Sequence, residues 1–131
     1  MKTETVSRVP HPHDHVEMMA AGHLWDVVRV PKSIGLHALN ELTTDSGIVI
    51  EDTSGGVLYW FIHHGTAEGW DLREVQVLGE ASYVAVPPVT RIVPPGLHWR
   101  IVNADPMTNP VLLYAALDSA VRRTFGPRET A

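Results

Sequence analysis

The predicted fold of this chain follows from four stretches of its sequence: T-S-G-G at residues 53–56, V-L-Y-W-F-I-H at 57–63, G-W-D-L-R-E at 69–74 and S-Y-V-A-V-P-P at 82–88. The glycines predict a turn that leads into a strand at Val57–His63. That strand is apolar almost throughout, which predicts that both of its faces are covered. A second apolar strand at Ser82–Val86 ends at Pro87-Pro88, because proline removes a backbone donor. These two strands predict a buried sheet.

The flanking sequence supplies the other elements of an α+β domain. Further strands are predicted at 23–30, 47–51, 74–78 and 97–102. A helix is predicted at 34–43 with Ser33 as its N-cap, and a second helix begins at Pro110, after a cap at Thr108 or Asn109, and ends at Gly126-Pro127. We therefore expect one domain at 23–125, with a mostly antiparallel or mixed sheet and helices packed on one face. Residues 1–22 are predicted to be a flexible arm and 126–131 a tail.

Composition limits the possible functions. The chain has 131 residues, of which 44% are hydrophobic and 19% charged, so it predicts one globular domain with one core. The net charge of -5 argues against nucleic-acid binding by bulk electrostatics. The absence of cysteine excludes disulfides and thiolate metal sites. No apolar run approaches the roughly eighteen residues of a membrane span, and we expect a cytoplasmic protein.

The order of its motifs resembles that of a known family. The sequence offers L-W-D-V-V-R-V at 24–30, D-T-S-G-G-V-L-Y-W-F at 52–61, G-W-D-L-R-E at 69–74, S-Y-V-A-V-P-P-V at 82–89 and G-L-H-W-R at 96–100. In this order the chain resembles a shortened, divergent relative of the bifunctional primase–polymerase domain of the archaeo-eukaryotic primase superfamily. It also resembles a group of small actinobacterial proteins of uncharacterised function. The resemblance implies a bacterial protein with a primase–polymerase-like fold.

The same resemblance implies a domain without catalytic activity. Family members transfer nucleotides by two-metal chemistry, which needs several converging carboxylates. Asp26 stands at the place of the first acid and Asp71 matches a later one, but Val28 occupies the place of the second acid. Leu58 lies where the family has a histidine that contacts the phosphates. The resemblance therefore implies an inactive enzyme homologue that binds a nucleotide, a nucleic acid or a protein partner.

The resemblance also implies which residues line a binding cleft. The cleft candidates are Asp26, Ser54, Gly55, Gly56, Asp71, Arg73 and His98. A divalent cation, Mn²⁺ or Mg²⁺, is the cofactor that Asp26 and Asp71 would hold.

A metal-binding function is the first alternative. V-P-P-G-L-H-W-R-I-V-N at 93–103 resembles the second cupin motif, in which a Pro–Gly turn presents a metal-binding histidine, here His98. One residue separates Gly96 from His98, whereas the cupin pattern has two. A separate metal site is possible in the N-terminal arm, where His11, His13 and His15 alternate, since imidazole suits transition metals.

A protein-interaction module or a homodimer without a ligand is the second alternative. Four tryptophans are many for this length, and tryptophan is enriched at interface hot spots. The alternative requires that these side chains lie on the surface, whereas we expect at least two of them to fill the core. They are Trp25, Trp60, Trp70 and Trp99.

Overall fold

The structure, a computed structural model, describes residues 15–127 and contains two sheets and two helices. In chain order the elements are β1 (Glu17–Ala20), β2 (Trp25–Pro31), α1 (Lys32–Leu42), a 3-10 turn (Thr43–Asp45), β3 (Val49–Asp52), β4 (Val57–His63), β5 (Gln76–Leu78), β6 (Tyr83–Val86), β7 (Leu97–Ile101) and α2 (Pro110–Phe125). The larger sheet has the order β5-β2-β4-β3-β7, and β1 pairs with β6 in the smaller one. All of these pairs are antiparallel. The chain is a small α+β domain, which confirms the predicted fold class.

Strand β4 lies at the centre of the larger sheet and has the predicted bounds. It pairs with β2 along its whole length, from Trp25 opposite His63 to Pro31 opposite Val57. Its side chains alternate between two clusters, because successive residues of a strand point to opposite faces. Leu58, Trp60 and Ile62 pack in the cluster that contains α1 and α2, and the intervening side chains pack in the cluster that contains β6. The expectation that both faces of β4 are covered is confirmed.

The two helices pack side by side on one face of the larger sheet. Helix α2 begins as predicted, with Pro110 in its first turn and with Asn109 Oδ1 accepting hydrogen bonds from the Val111 and Leu112 N–H groups. Helix α1 differs from the prediction, because it begins at Lys32 directly after strand β2, and Ser33 is not its N-cap. Gly35 allows α1 to approach the sheet closely, since a Cβ there would lie 2.5 Å from Leu58 Cδ1.

Residues 17–20, which lie within the segment predicted to be an arm, form strand β1. This strand pairs with β6 from Glu17 opposite Val86 to Ala20 opposite Tyr83, on the sheet face that the helices leave open. The sequence E-M-M-A has no β-branched residue, so the strand depends on a partner that is distant along the chain. Residues 1–14 and 128–131 lie outside the described residues, and so do His11 and His13.

No helix within residues 15–127 is both long and apolar enough to cross a membrane.

Candidate functional site

Two of the predicted cleft residues, Asp71 and Arg73, line one cavity of about 600 Å³. The opposite wall is the C-terminal half of α2, which contributes Asp118, Arg122 and Phe125. The buried side chains of Leu72 and Val121 add an apolar surface to the lining. Ligand sites in proteins have volumes of about 300–1,000 Å³, so the cavity is large enough for a small molecule. We call it the α2 cavity.

The α2 cavity has two guanidinium groups in defined positions. The Arg73 guanidinium carbon lies 4.0 Å from the centre of the Phe125 ring, a cation–π contact. Arg122 Nε donates a hydrogen bond of 3.1 Å to Asp118 Oδ2, one turn earlier in the same helix. A guanidinium group can donate two parallel hydrogen bonds to a phosphate group, and carboxylates bind divalent cations. The cavity therefore combines groups for phosphate, for a metal ion and for an aromatic ring.

Asp26 lies elsewhere and is bonded through both of its carboxylate oxygens. Its Oδ1 lies 2.9 Å from Nδ1 of His64, and its Oδ2 accepts a hydrogen bond of 2.9 Å from the Gly65 N–H. Asp26 is buried and does not line the α2 cavity. The structure therefore does not bring Asp26 and Asp71 together. Within residues 15–127 no three His, Cys, Asp or Glu side chains form a group that could hold a metal ion.

The glycine turn at Ser54–Gly56 lies at the other end of β4. Asp52 Oδ1 accepts hydrogen bonds from the N–H groups of Ser54 and Gly55, which fixes the turn. Asp26 is opposite Ile62, six residues beyond Gly56, so the turn and Asp26 are about 20 Å apart along the strand. The predicted cleft residues are thus divided among separate places in the fold.

His98 lies near this turn and contacts oxygen atoms through both ring nitrogens. Nδ1 lies 3.0 Å from the Gly96 carbonyl oxygen, which also accepts a hydrogen bond from the Thr53 N–H. Nε2 lies 3.3 Å from Glu51 Oε1, and the ring is buried. Neither nitrogen is directed at open space, so this geometry does not support His98 as a metal ligand of the cupin type.

Glu51 is the centre of a charged cluster that the sequence did not predict. It is 1% exposed, and three basic side chains surround it. Arg100 Nη1 donates to Oε1 at 2.6 Å, and Lys32 Nζ lies 2.9 Å from Oε2 as an ion pair without hydrogen-bond geometry. His98 is the third partner. The sequence contains one signal for this cluster. Glu51 lies two residues after Val49 in a buried strand, so both side chains are on one buried face, where an unpaired charge is costly.

The charged cluster predicts part of the pH dependence of stability. Burial raises the pKa of the Glu51 carboxyl, but the contacts with Lys32 and Arg100 lower it by more, so that its pKa lies below the ordinary value. In the unfolded chain a glutamate titrates at about 4.3. The stabilisation from ionised Glu51 is complete above that pH, and it is lost as the pH falls through the lower pKa of the folded state.

We therefore expect Glu51→Gln to flatten the fall in the free energy of unfolding between about pH 5 and pH 3. Urea unfolding at a series of pH values measures this. Glu80→Gln, at an exposed position, is the control and should leave the slope unchanged. An unchanged slope in Glu51→Gln would contradict the assignment.

Three of the four tryptophans belong to the core. Trp25, Trp60 and Trp99 are buried, and the indole N–H groups of Trp60 and Trp99 donate to Ser46 Oγ and to the Pro87 carbonyl oxygen. Trp70 is partly exposed. The expectation that at least two tryptophans fill the core is confirmed, and Trp70 is the one that is left for surface recognition.

His15, the one arm histidine that is described, is exposed and has Nε2 3.9 Å from Glu17 Oε1.

Comparison of the chain with family models, with curated proteins and with solved structures gives no match.

Proposed function

We propose that this domain binds a nucleotide in the α2 cavity and does not turn it over. The observation that carries the proposal is that Asp71 and Arg73, two of the residues chosen from the sequence, line one cavity with Arg122 and Phe125. The guanidinium groups suit the phosphates, the Phe125 ring suits the base, and Asp71 suits a phosphate-bound Mn²⁺ or Mg²⁺. We further propose that the protein does this in the cytoplasm.

Binding without catalysis is supported by the surroundings of the residues that stand where the primase–polymerase family has its acids and its histidine. Val28 and Leu58 are fully buried in the core between the sheet and the helices. Leu58 also lies close to α1, where a Cβ on Gly35 would touch it. Asp26, the counterpart of the first acid, is bonded to His64 and Gly65. These positions offer no open surface on which two metal ions and a primer end could meet.

A free nucleotide fits the charge of the chain better than a nucleic acid does. Long phosphate backbones are bound through clustered Lys and Arg, and here the net charge is -5. The α2 cavity itself has two arginines and two aspartates, so a ligand that carries its own divalent cation would suit both signs of charge.

We expect Mn²⁺ together with ATP or GTP to raise the melting temperature of the wild-type protein, because a ligand of the folded state stabilises it by mass action. Arg73→Ala should abolish most of this rise and Asp71→Ala should weaken it. Arg123→Ala is the matched control. Arg123 follows the cavity residue Arg122 in α2 but does not itself line the cavity. Thermal-shift titration with Mn²⁺ alone, nucleotide alone and both together makes the measurement.

A rise that Arg73→Ala leaves intact would contradict the proposed site. No rise with any nucleotide, or tighter binding of a single-stranded oligonucleotide than of the nucleotide, would contradict the proposed ligand. Incorporation of dNTPs by the purified protein with Mn²⁺ would contradict the absence of catalysis.

A further inference from the structure

A second cavity, of about 310 Å³, lies at the opposite end of α2 from the α2 cavity. The loop after β4 forms one side with Glu68 and Trp70, and the N-terminal end of α2 forms the other with Val111 and Tyr114. Tyr114 and Arg122 are eight residues apart on the helix, or about 12 Å, so the two cavities are separate. We call this one the aromatic corner.

Its walls are two aromatic rings set at an angle. The ring centres of Trp70 and Tyr114 are 5.3 Å apart and the ring planes are inclined by 63°. The contact is edge-to-face and both residues line the cavity, so a ligand in the corner meets aromatic surface from Trp70 and from Tyr114. The face of an aromatic ring carries partial negative charge and attracts a cation that has lost part of its water.

The charges around the aromatic corner have the sign that a cation needs. Glu68 is the one formally charged residue among the described residues that line it, and it is exposed. Free N–H groups at the start of α2 would favour an anion. Those of Val111 and Leu112 instead donate hydrogen bonds to Asn109 Oδ1. Val111, 74% exposed, adds apolar surface at the rim.

We propose that the aromatic corner binds a methylated ammonium group. A quaternary ammonium has apolar methyl groups around a diffuse positive charge, so it fits a cavity of two aromatic rings, an aliphatic rim and one carboxylate. A primary ammonium, by contrast, needs several hydrogen-bond acceptors, whereas the side chains that line the corner are mostly aromatic or aliphatic, with Glu68 and Thr66 as acceptors. This inference is independent of the proposed nucleotide site.

The test compares choline with 3,3-dimethylbutan-1-ol, which has the same shape but carbon in place of the charged nitrogen. Titrations followed by ¹H–¹⁵N NMR report on the indole N–H of Trp70, which Trp70→Phe assigns. We expect choline to shift this signal saturably and the neutral alcohol to leave it in place. Equal binding of both would show an unspecific apolar pocket and overturn the proposal, as would the absence of binding both by choline and by a peptide that contains trimethyl-lysine.

Variants separate recognition from folding. Tyr114→Leu should weaken choline binding about tenfold, whereas Tyr114→Phe, which keeps the ring, should retain it. Glu68→Gln should weaken binding and Glu80→Gln, an exposed acid outside the cavity, should not. If Tyr114→Leu fails to fold, the Glu68→Gln result decides. Unchanged affinity in Glu68→Gln, or in a folded Tyr114→Leu protein, would contradict the site.

The same chemistry has two sources, a free small molecule or a trimethylated lysine in a peptide. A second titration with a short peptide that contains trimethyl-lysine, and with its unmethylated form, distinguishes them. The source is the ligand that binds more tightly, and binding of the unmethylated peptide with equal affinity would count against a methylammonium site.

Discussion

Gly22→Ala is expected to lower the free energy of unfolding by about 4 kcal/mol, the sum of backbone strain and a steric clash. Gly22 has φ +93°, which side-chain-bearing residues rarely adopt. In addition, a Cβ there would lie 2.3 Å from the Glu80 backbone nitrogen and 2.4 Å from its Cα. Backbone atoms cannot rotate away as a side chain can. Gly22 lies in the connection from β1 to β2 and Glu80 in the connection from β5 to β6, so the clash would push these two connections apart.

Gly65→Ala is the matched control for this prediction. Gly65 has φ +83°, but a Cβ there would meet nothing within 4 Å. Its replacement should therefore cost only the strain, about 1–2 kcal/mol. Urea unfolding of the two variants and the wild type measures the difference. Equal losses for Gly22→Ala and Gly65→Ala would contradict the close approach of the 22 and 79–80 segments.

Glu51→Ala is expected to lower the free energy of unfolding at pH 7 by about 2–3 kcal/mol. Removal of one partner from a buried charged group leaves the others uncompensated, which typically costs 3–5 kcal/mol. The expected loss is smaller here because the side chains of Lys32 and Arg100 are 44% and 37% exposed and can turn toward water. His98 is buried and has no such escape.

The double variant Glu51→Ala with His98→Ala tests this reasoning. If the buried ring of His98 is the uncompensated group, the loss in the double variant should be smaller than the sum of the two single losses. Glu80→Ala, at an exposed site, should change stability by less than about 0.5 kcal/mol. Additive losses, or a Glu51→Ala protein as stable as the wild type, would contradict the role of the cluster.

The sequence predicted most of the elements because their signals are local. The glycine turn and the continuous apolar run gave β4 with its observed bounds, and the Asn109-Pro110 pair gave the start of α2. β1 was missed because its signal is not local: E-M-M-A becomes a strand only when β6, more than sixty residues later, provides its partner. The start of α1 was misplaced because Pro31 passes directly from a strand into a helix, without a side-chain cap.

The candidate site was predicted only in part. Asp71 and Arg73 are neighbours in sequence and share a cavity, but their partners Arg122 and Phe125 come from a helix about fifty residues later, which no local pattern connects to them. Asp26 was grouped with Asp71 through the family resemblance, whereas the register of β2 on β4 places it beside His64. Residue types indicate a chemistry, but which side chains meet depends on strand register and helix packing.

The most direct test of the proposed nucleotide site is a ¹H–¹⁵N NMR titration of the wild-type protein with Mg²⁺ and a nucleotide. We expect saturable shifts confined to the backbone signals of 71–73 and 118–127, the residues around the α2 cavity. Shifts that centre instead on the 54–56 turn, Lys32, His98 and Arg100, or no shifts at millimolar nucleotide, would contradict it.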